Sequence, residues 1–252
     1  MSRYAFLVGG GFVVILLACA EMAVRGGFVS PYMAPAPSQV ALTLASMFSE
    51  GRVLAPLGQT LGLLLAGFTL ACVLGIALGL AMGADERVYN LFDPLVEIIR
   101  PIPKPALIPP LMLFLGFGAE MKIVIITMAA FFPILINTIG GVKTIDPVVL
   151  QTARTFRVGP ARTIFQVILP SATPMILAGA RVALGLALVV AILGDMLASN
   201  GGLGFEIVDM QRAFMLPEMY AWVVVVSLLG LLQAFLFHRL ESWLTFWARN
   251  NA

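Results

Sequence analysis

The sequence predicts an all-α integral membrane protein with six transmembrane helices, and three observations carry that prediction. Of 252 residues, 60% are hydrophobic and 11% charged, with a mean hydropathy of +1.01. A soluble domain holds roughly 45–50% apolar and 25% charged residues. The charges also leave long gaps, with none between Arg52 and Asp85, between Lys122 and Lys143, or between Glu218 and His238. Each gap accommodates the roughly 20 apolar residues that cross a bilayer core. The same composition restricts the chemistry. One histidine, His238, and two cysteines, Cys19 and Cys72, are too few soft ligands for a zinc, haem or iron–sulfur centre, so no metal site is expected. Both cysteines sit in apolar runs and read as small buried hydrophobes. A net charge of +2 gives no argument for nucleic acid.

The first apolar run, 4–24, follows Arg3 and ends at Glu21 and Arg25. Its length favours an uncleaved anchor, while Ala18-Cys19-Ala20 offers the A-x-A pattern of a cleaved leader; both place the next segment outside. Residues 26–56 are punctuated by Pro31, Pro35 and Pro37, and Ser38 reads as the N-cap of a short surface helix over 39–48. The second span, 57–83, carries Gly67, Ala71, Gly75, Gly79 and Gly83 four apart, a stripe that lets another backbone approach closely. Residues 1–56 thus form an anchor with an external loop, and 57–252 a five-helix core with one polar loop at 143–170.

The third span cannot be regular. Arg100-Pro101-Ile102-Pro103-Lys104-Pro105 removes backbone donors and clashes with each preceding turn. Such a break belongs against the bundle interior or the cytoplasmic mouth, or else forms a rigid loop just outside the bilayer. Asp93 and Glu97 before Arg100 read as a helix start with an ion pair. The fourth, fifth and sixth spans cover 121–141, 175–198 and 219–240, with Trp222, Trp243 and Trp247 as interface anchors. Arg3, Arg87, Arg100, Lys104, Lys143, Arg154, Arg157, Arg162, Arg239 and Arg249 then fall on one side, and Arg25, Arg52, Lys122 and Arg212 on the other. That bias places both termini in the cytoplasm.

Within the fifth span, Gly179, Ala183, Ala187, Ala191, Asp195 and Ser199 share one face. Arg181 lies fourteen residues before Asp195, about 21 Å of helical rise and about 40° of rotation away. Charges in a span mark a pathway or a paired site, or lie near enough to the interfaces to reach water. Asn137, after Pro133 on the fourth span, is a further pathway candidate or interhelical glue, and Arg100, Pro101 and Pro103 complete the pathway set.

The polar loop 143–170 opens with Asp146-Pro147, an N-cap followed by proline at the first helical position. A helix follows through Val148, Val149, Leu150, Ala153 and Phe156, with apolar residues expected beneath the arginines. Gly159-Pro160 breaks it, and a second short helix is expected over 161–168, stopped by Pro170. Gln151-Thr152-Ala153-Arg154-Thr155-Phe156 with Val167-Ile168-Leu169-Pro170 resembles the coupling loop of permease subunits of ABC importers. Two positions depart from the family pattern: Gln151 replaces its glutamate and Arg157 its glycine, with a glycine only at Gly159. Three flanking stretches, 100–118, Ala180-Arg181-Val182-Ala183-Leu184-Gly185 and Gly201-Gly202-Leu203-Gly204-Phe205, are similar to the sulfonate, taurine and nitrate branch.

The resemblance implies a type I importer-like permease of the plasma (inner) membrane, itself not an enzyme. Gln151, Thr152, Ala153, Arg154, Arg157, Gly159, Arg162, Leu169 and Pro170 would couple it to a separate ATPase subunit that binds ATP and magnesium. An extracytoplasmic solute-binding protein and a second permease copy complete the assembly, and the permease itself takes no cofactor. No G-x-x-x-x-G-K-[ST] phosphate loop occurs in the chain. The solute implied is a small organic or inorganic anion, though relatives of this branch also serve neutral or cationic vitamin precursors. A secondary transporter is the competing class; it calls for two matched broken helices, and the sequence offers one.

Overall fold

The computed structural model describes residues 3–30, 33–198 and 201–246, the first eight of them as backbone only. Pro31, Ser199, Trp247 and Arg249 lie outside the described residues. Every regular element among the described residues is helical. Helix α1 (Arg3–Arg25) leads to α2 (Pro37–Ser49), which packs on the last helix. Ser38 does not cap α2. Ala36 occupies that position, and the Ser38 N–H and hydroxyl donate to the two Glu21 carboxylate oxygens at 3.0 and 2.7 Å. A carboxylate from α1 thereby serves the unpaired first turn of α2. Cys19, expected to be buried, lies on an exposed face of α1.

The core is a three-helix sandwich. Helix α3 (Leu54–Ala84) and a third long helix pack on either side of α6 (Ala119–Lys143). The glycine stripe of α3 faces α6: a Cβ at Gly67 or Gly79 would lie 2.7 Å from Ile126 Cγ2 or 2.6 Å from Thr138 Cβ, and Ala71 is fully buried. On the far side, Gly179 meets α6 at Pro133 and Asn137, where a Cβ would be 2.6 Å from Asn137 Cβ. Small residues on both outer helices thus let α6 sit at backbone distance from each.

Between α3 and α6 the chain forms α4 (Glu86–Ile99), the break, a 3₁₀ turn (Lys104–Leu107) and α5 (Ile108–Leu115). The two arms meet at 82°. After α6 come α7 (Pro147–Thr155) and α8 (Pro160–Thr163), then α9 (Leu169–Leu197), α10 (Leu203–Arg212) and α11 (Leu216–Leu244). Pro170 does not stop a helix. The run from Pro160 to Leu197 is continuous over 38 residues, with a π-turn at Ile164–Ile168. Pro170 has no N–H for the Gln166 carbonyl, and the chain widens ahead of it, Leu169 N donating to Ile164 O five residues back.

Four helical runs among the described residues are long and apolar enough to cross a bilayer: α3, α6, 160–197 and α11. The bent pair supplies a fifth if its arms count as one span. The expected sixth, α1, is one 23-residue helix, about 34 Å long at 1.5 Å per residue. Trp222 is 3% exposed and belongs to the core between α2, α10 and α11, so it is no interface anchor; Trp243 is exposed.

Candidate functional site

The break is built by lysine. Helix α4 ends at Ile99, leaving carbonyls without intrahelical donors, and Pro101 and Pro103 cannot supply any. Lys104 Nζ donates to the carbonyls of Ile99 at 2.8 Å, Arg100 at 3.2 Å and Ile102 at 2.9 Å, and stands 4.5 Å from the centre of the Phe132 ring. A cation at a helix C-terminus also opposes the negative end of its dipole. Arg100 pairs with Glu97 at 3.2 Å, as expected from the sequence, but the pair closes a helix and does not start one. A cavity of about 370 Å³ opens here, lined by Arg100, Ile102, Lys104, Phe132, Asn137 and Leu186 among others. It unites Asn137 with the Arg100 segment. Asn137 Nδ2 donates to Pro133 O at 2.8 Å, which leaves its amide oxygen with acceptor capacity on the cavity side. Lys104→Met is expected to cost about 1–2 kcal/mol, the charged hydrogen bonds being discounted for their partial exposure. Thermal unfolding of the detergent-purified protein measures this; an unchanged midpoint would mean that water serves those carbonyls equally well.

At the opposite end of the bundle, Asp195 is 1% exposed. Lys122 Nζ meets its Oδ1 at 2.6 Å, and the Thr60 hydroxyl donates to its Oδ2 at 2.6 Å. That hydroxyl also accepts from Leu203 N at 2.9 Å, so the first turn of α10 is tied through Thr60 to the same carboxylate. Glycine is required beside it. Gly202 has φ +99°, and a Cβ there would strike the Asp195 carboxylate, while one on Gly204 would strike the Ile192 carbonyl. Lys122, counted from sequence among the outer-side cations, is buried at 6% exposure. The small-residue face correctly turned Asp195 inward, but sequence reasoning missed Lys122 and Thr60.

Arg181 does not join Asp195. It is half-exposed and pairs with Glu241 of α11, with His238 Nδ1 at 3.4 Å from its Nη2. The expected pathway residues therefore separate into three places: the break cavity, the Asp195 knot and the Arg181–Glu241 pair.

The knob formed by α7 and α8 follows α6 and rests on the π-turn at Ile164–Ile168. Asp146 Oδ1 accepts from Val148 N at 2.8 Å, the expected cap, and Ala153 is buried. Other apolar residues turn outward instead: Val148, Val149, Phe156 and Phe165 are exposed, Phe156 at 78%. Only Leu150 and Ala153 lie beneath, because a nine-residue helix has one narrow face toward the bundle. Gln151, Thr152, Arg154, Arg157, Gly159 and Arg162 are also exposed, while Leu169 and Pro170 lie in the helical run behind. Helix α7 ends in a Schellman turn, with Val158 N donating to Ala153 O and Arg157 N to Arg154 O. The residue in the left-handed conformation is Arg157, at φ +52°. Glycine is usual there, and arginine costs about 1–2 kcal/mol more.

Comparison with known proteins agrees with this arrangement. Residues 71–249 match the family model described as "Binding-protein-dependent transport system inner membrane component". The taurine transport system permease protein of Escherichia coli (strain K12) is 29% identical over 252 residues, covering 98% of this chain and 91% of that protein. The formylaminopyrimidine transport permease protein of Halalkalibacterium halodurans is 31% identical over 240 residues, covering 95% of each. A chain from the inward-facing MetNI methionine ABC transporter shares the fold with a TM-score of 0.65, at 21% identity over 74% of this chain and 93% of that one. With the family model matched over 179 of its 252 residues and relatives matched over nearly its whole length, the chain belongs to the family of binding-protein-dependent transport system inner membrane components: it is an ABC importer permease, not a catalytic subunit.

Proposed function

We propose that this permease imports a small anion, sulfonate-, taurine- or nitrate-like, using ATP hydrolysed by a separate subunit that carries the nucleotide and magnesium. The observation that carries the anion reading is the break cavity: Arg100 and Lys104 place two cations around about 370 Å³ with no acidic side chain among its lining residues, and the Arg100 guanidinium keeps N–H donors beyond the one it gives to Glu97. Such a lining lowers the cost of moving a negative charge between apolar walls. The taurine relative supports this reading. The formylaminopyrimidine relative supports a second, in which the same donors bind a polar heterocycle.

In this reading the α7–α8 knob faces the cytoplasm with both termini, as the clustering of cations on that side favours. The ATPase grips the knob through Gln151 to Arg162, with Leu169 and Pro170 joining it to the span. A solute-binding protein docks at the α2 and α10 end, and a second permease copy completes the pathway. Residues 1–56 form a peripheral unit on the core 57–252. Uptake of radiolabelled taurine, an aliphatic sulfonate, nitrate and formylaminopyrimidine into proteoliposomes holding the whole transporter tests the substrate. Arg100→Gln should lower anion uptake about tenfold or more, the scale expected when a desolvated charge contact is lost. Equal uptake by both proteins, or transport of the pyrimidine alone, would reject the anion reading.

Docking has its own test. Phe156→Asp should abolish ATP-dependent uptake and co-purification of the ATPase, because it places an unpaired charge at a contact that association must desolvate. The stability of the permease itself should hold, since the side chain is 78% exposed.

A further inference from the structure

We infer that Arg157 selects the permease's ATPase by pairing with a carboxylate in the docking groove of that subunit. This rests on the docking role proposed above and goes further: it names the residue that reads the partner and the chemistry being read. Arg157 holds the left-handed position of a Schellman turn, where glycine fits without penalty and arginine does not. Among the described residues the Arg157 side chain has no ion pair or hydrogen bond, and it is exposed.

Charge points the same way. From Pro147 to Pro170 the chain carries Arg154, Arg157 and Arg162 and no acidic residue, and Gln151 stands where a glutamate would supply one. All three arginines are exposed, flanking the outward Val148, Val149, Phe156 and Phe165. Apart from Asp146, whose carboxylate caps α7 beside Val148, the charges beside these apolar prongs are cations, which fits a hydrophobic groove rimmed by the opposite sign. Of the three, Arg157 alone occupies a position that penalises its side chain, and it follows directly after Phe156, the most exposed prong. Guanidinium offers a planar fork for a carboxylate, and a lysine in its place keeps the charge but loses the fork.

The experiment uses the intact permease and the phosphate-loop-bearing subunit that purifies with it, identified by mass spectrometry and then titrated back in detergent. Arg157→Asn keeps a residue that tolerates the left-handed conformation and removes the guanidinium with its stem. Its dissociation constant should rise about tenfold or more, with a shallower dependence on ionic strength than the parent, whereas Arg157→Lys, which keeps the charge without the fork, should bind more weakly than the parent while keeping the parent's salt dependence. In the Arg157→Lys complex, a zero-length carbodiimide should join residue 157 to an Asp or Glu of the ATPase. Arg157→Gly should unfold at a temperature no lower than the parent, which separates a partner contact from a structural one. Unchanged affinity and salt dependence in Arg157→Asn, or a cross-link confined to the permease, overturns the inference while leaving docking intact. If Phe156→Asp and the parent bind the ATPase equally, the docking role itself fails.

Discussion

Asp195→Ala is expected to destabilise the permease by about 3–5 kcal/mol, the scale of a buried ion pair deprived of one partner. The reason is the condition in which Lys122 is left. Its side chain is 8% exposed and its ammonium meets the Asp195 carboxylate at 2.6 Å. Without that carboxylate a cation remains in a low-dielectric bundle, and the Thr60 hydroxyl loses its acceptor while still holding Leu203 N. The loss should therefore appear twice, as a lower midpoint of thermal unfolding in detergent and as faster hydrogen exchange at the start of α10. The double variant Lys122→Met with Asp195→Leu should recover most of the midpoint, since it removes both charges together. It should not restore protection at Leu203, because Thr60 would still lack its carboxylate. A loss under about 1 kcal/mol in the single variant would mean that the other groups around Lys122, or water, hold its charge equally well.

Gly79→Ala should be the most damaging single methyl on the α3 stripe. The added Cβ would lie 2.6 Å from Thr138 Cβ and 3.1 Å from the Leu135 carbonyl, where carbon atoms rest at about 3.5–4.0 Å. Helix α3 must retreat by about 1 Å, at a cost of about 1–3 kcal/mol or more in a packed interior. The relieving change is specific. Thr138→Ala removes the Cγ2 contact at 2.8 Å but leaves the nearer Cβ and should help only in part, whereas Thr138→Gly in the Gly79→Ala background removes both and should recover more, less the cost of a glycine inside α6. Thermal unfolding of the four proteins decides it, and equal rescue by both partners would show that the methyl is absorbed elsewhere.

The sequence disclosed features governed by local rules. The stripe from Gly67 to Gly83 was legible because helical periodicity alone places those residues on one face, although nothing in it named α6 as the partner. Asp146-Pro147 capped as expected, and the prolines at 101 and 103 broke the third span as proline chemistry requires. What escaped was assembled from distant parts of the chain. Thr60 and Lys122 meet Asp195 across 135 and 73 residues, and each lies near a span end, where a polar residue ordinarily faces water. Trp222 misled for the same reason: it is near an edge in sequence but covered by α2 and α10. Pro170 misled differently, since the rule that proline ends a helix omits the wider ring by which the chain absorbs it. The left-handed Arg157 was marked in advance by a departure from a glycine pattern, and its backbone explains why glycine is the usual choice.

The unbroken run from Pro160 to Leu197 joins the knob and the Asp195 knot on a single shaft. Thirty-five residues separate Pro160 from Asp195, an arm of about 53 Å at 1.5 Å per residue. At its far end the shaft is fastened to α3 and α6 by Asp195, at mid-length Gly179 seats it on Pro133 and Asn137, and nearer the knob Ala172 and Ile176 pack on Val142. A shaft held at three heights has no free pivot, so a pull on the knob travels into α6 along the whole contact and the two helices move as one body.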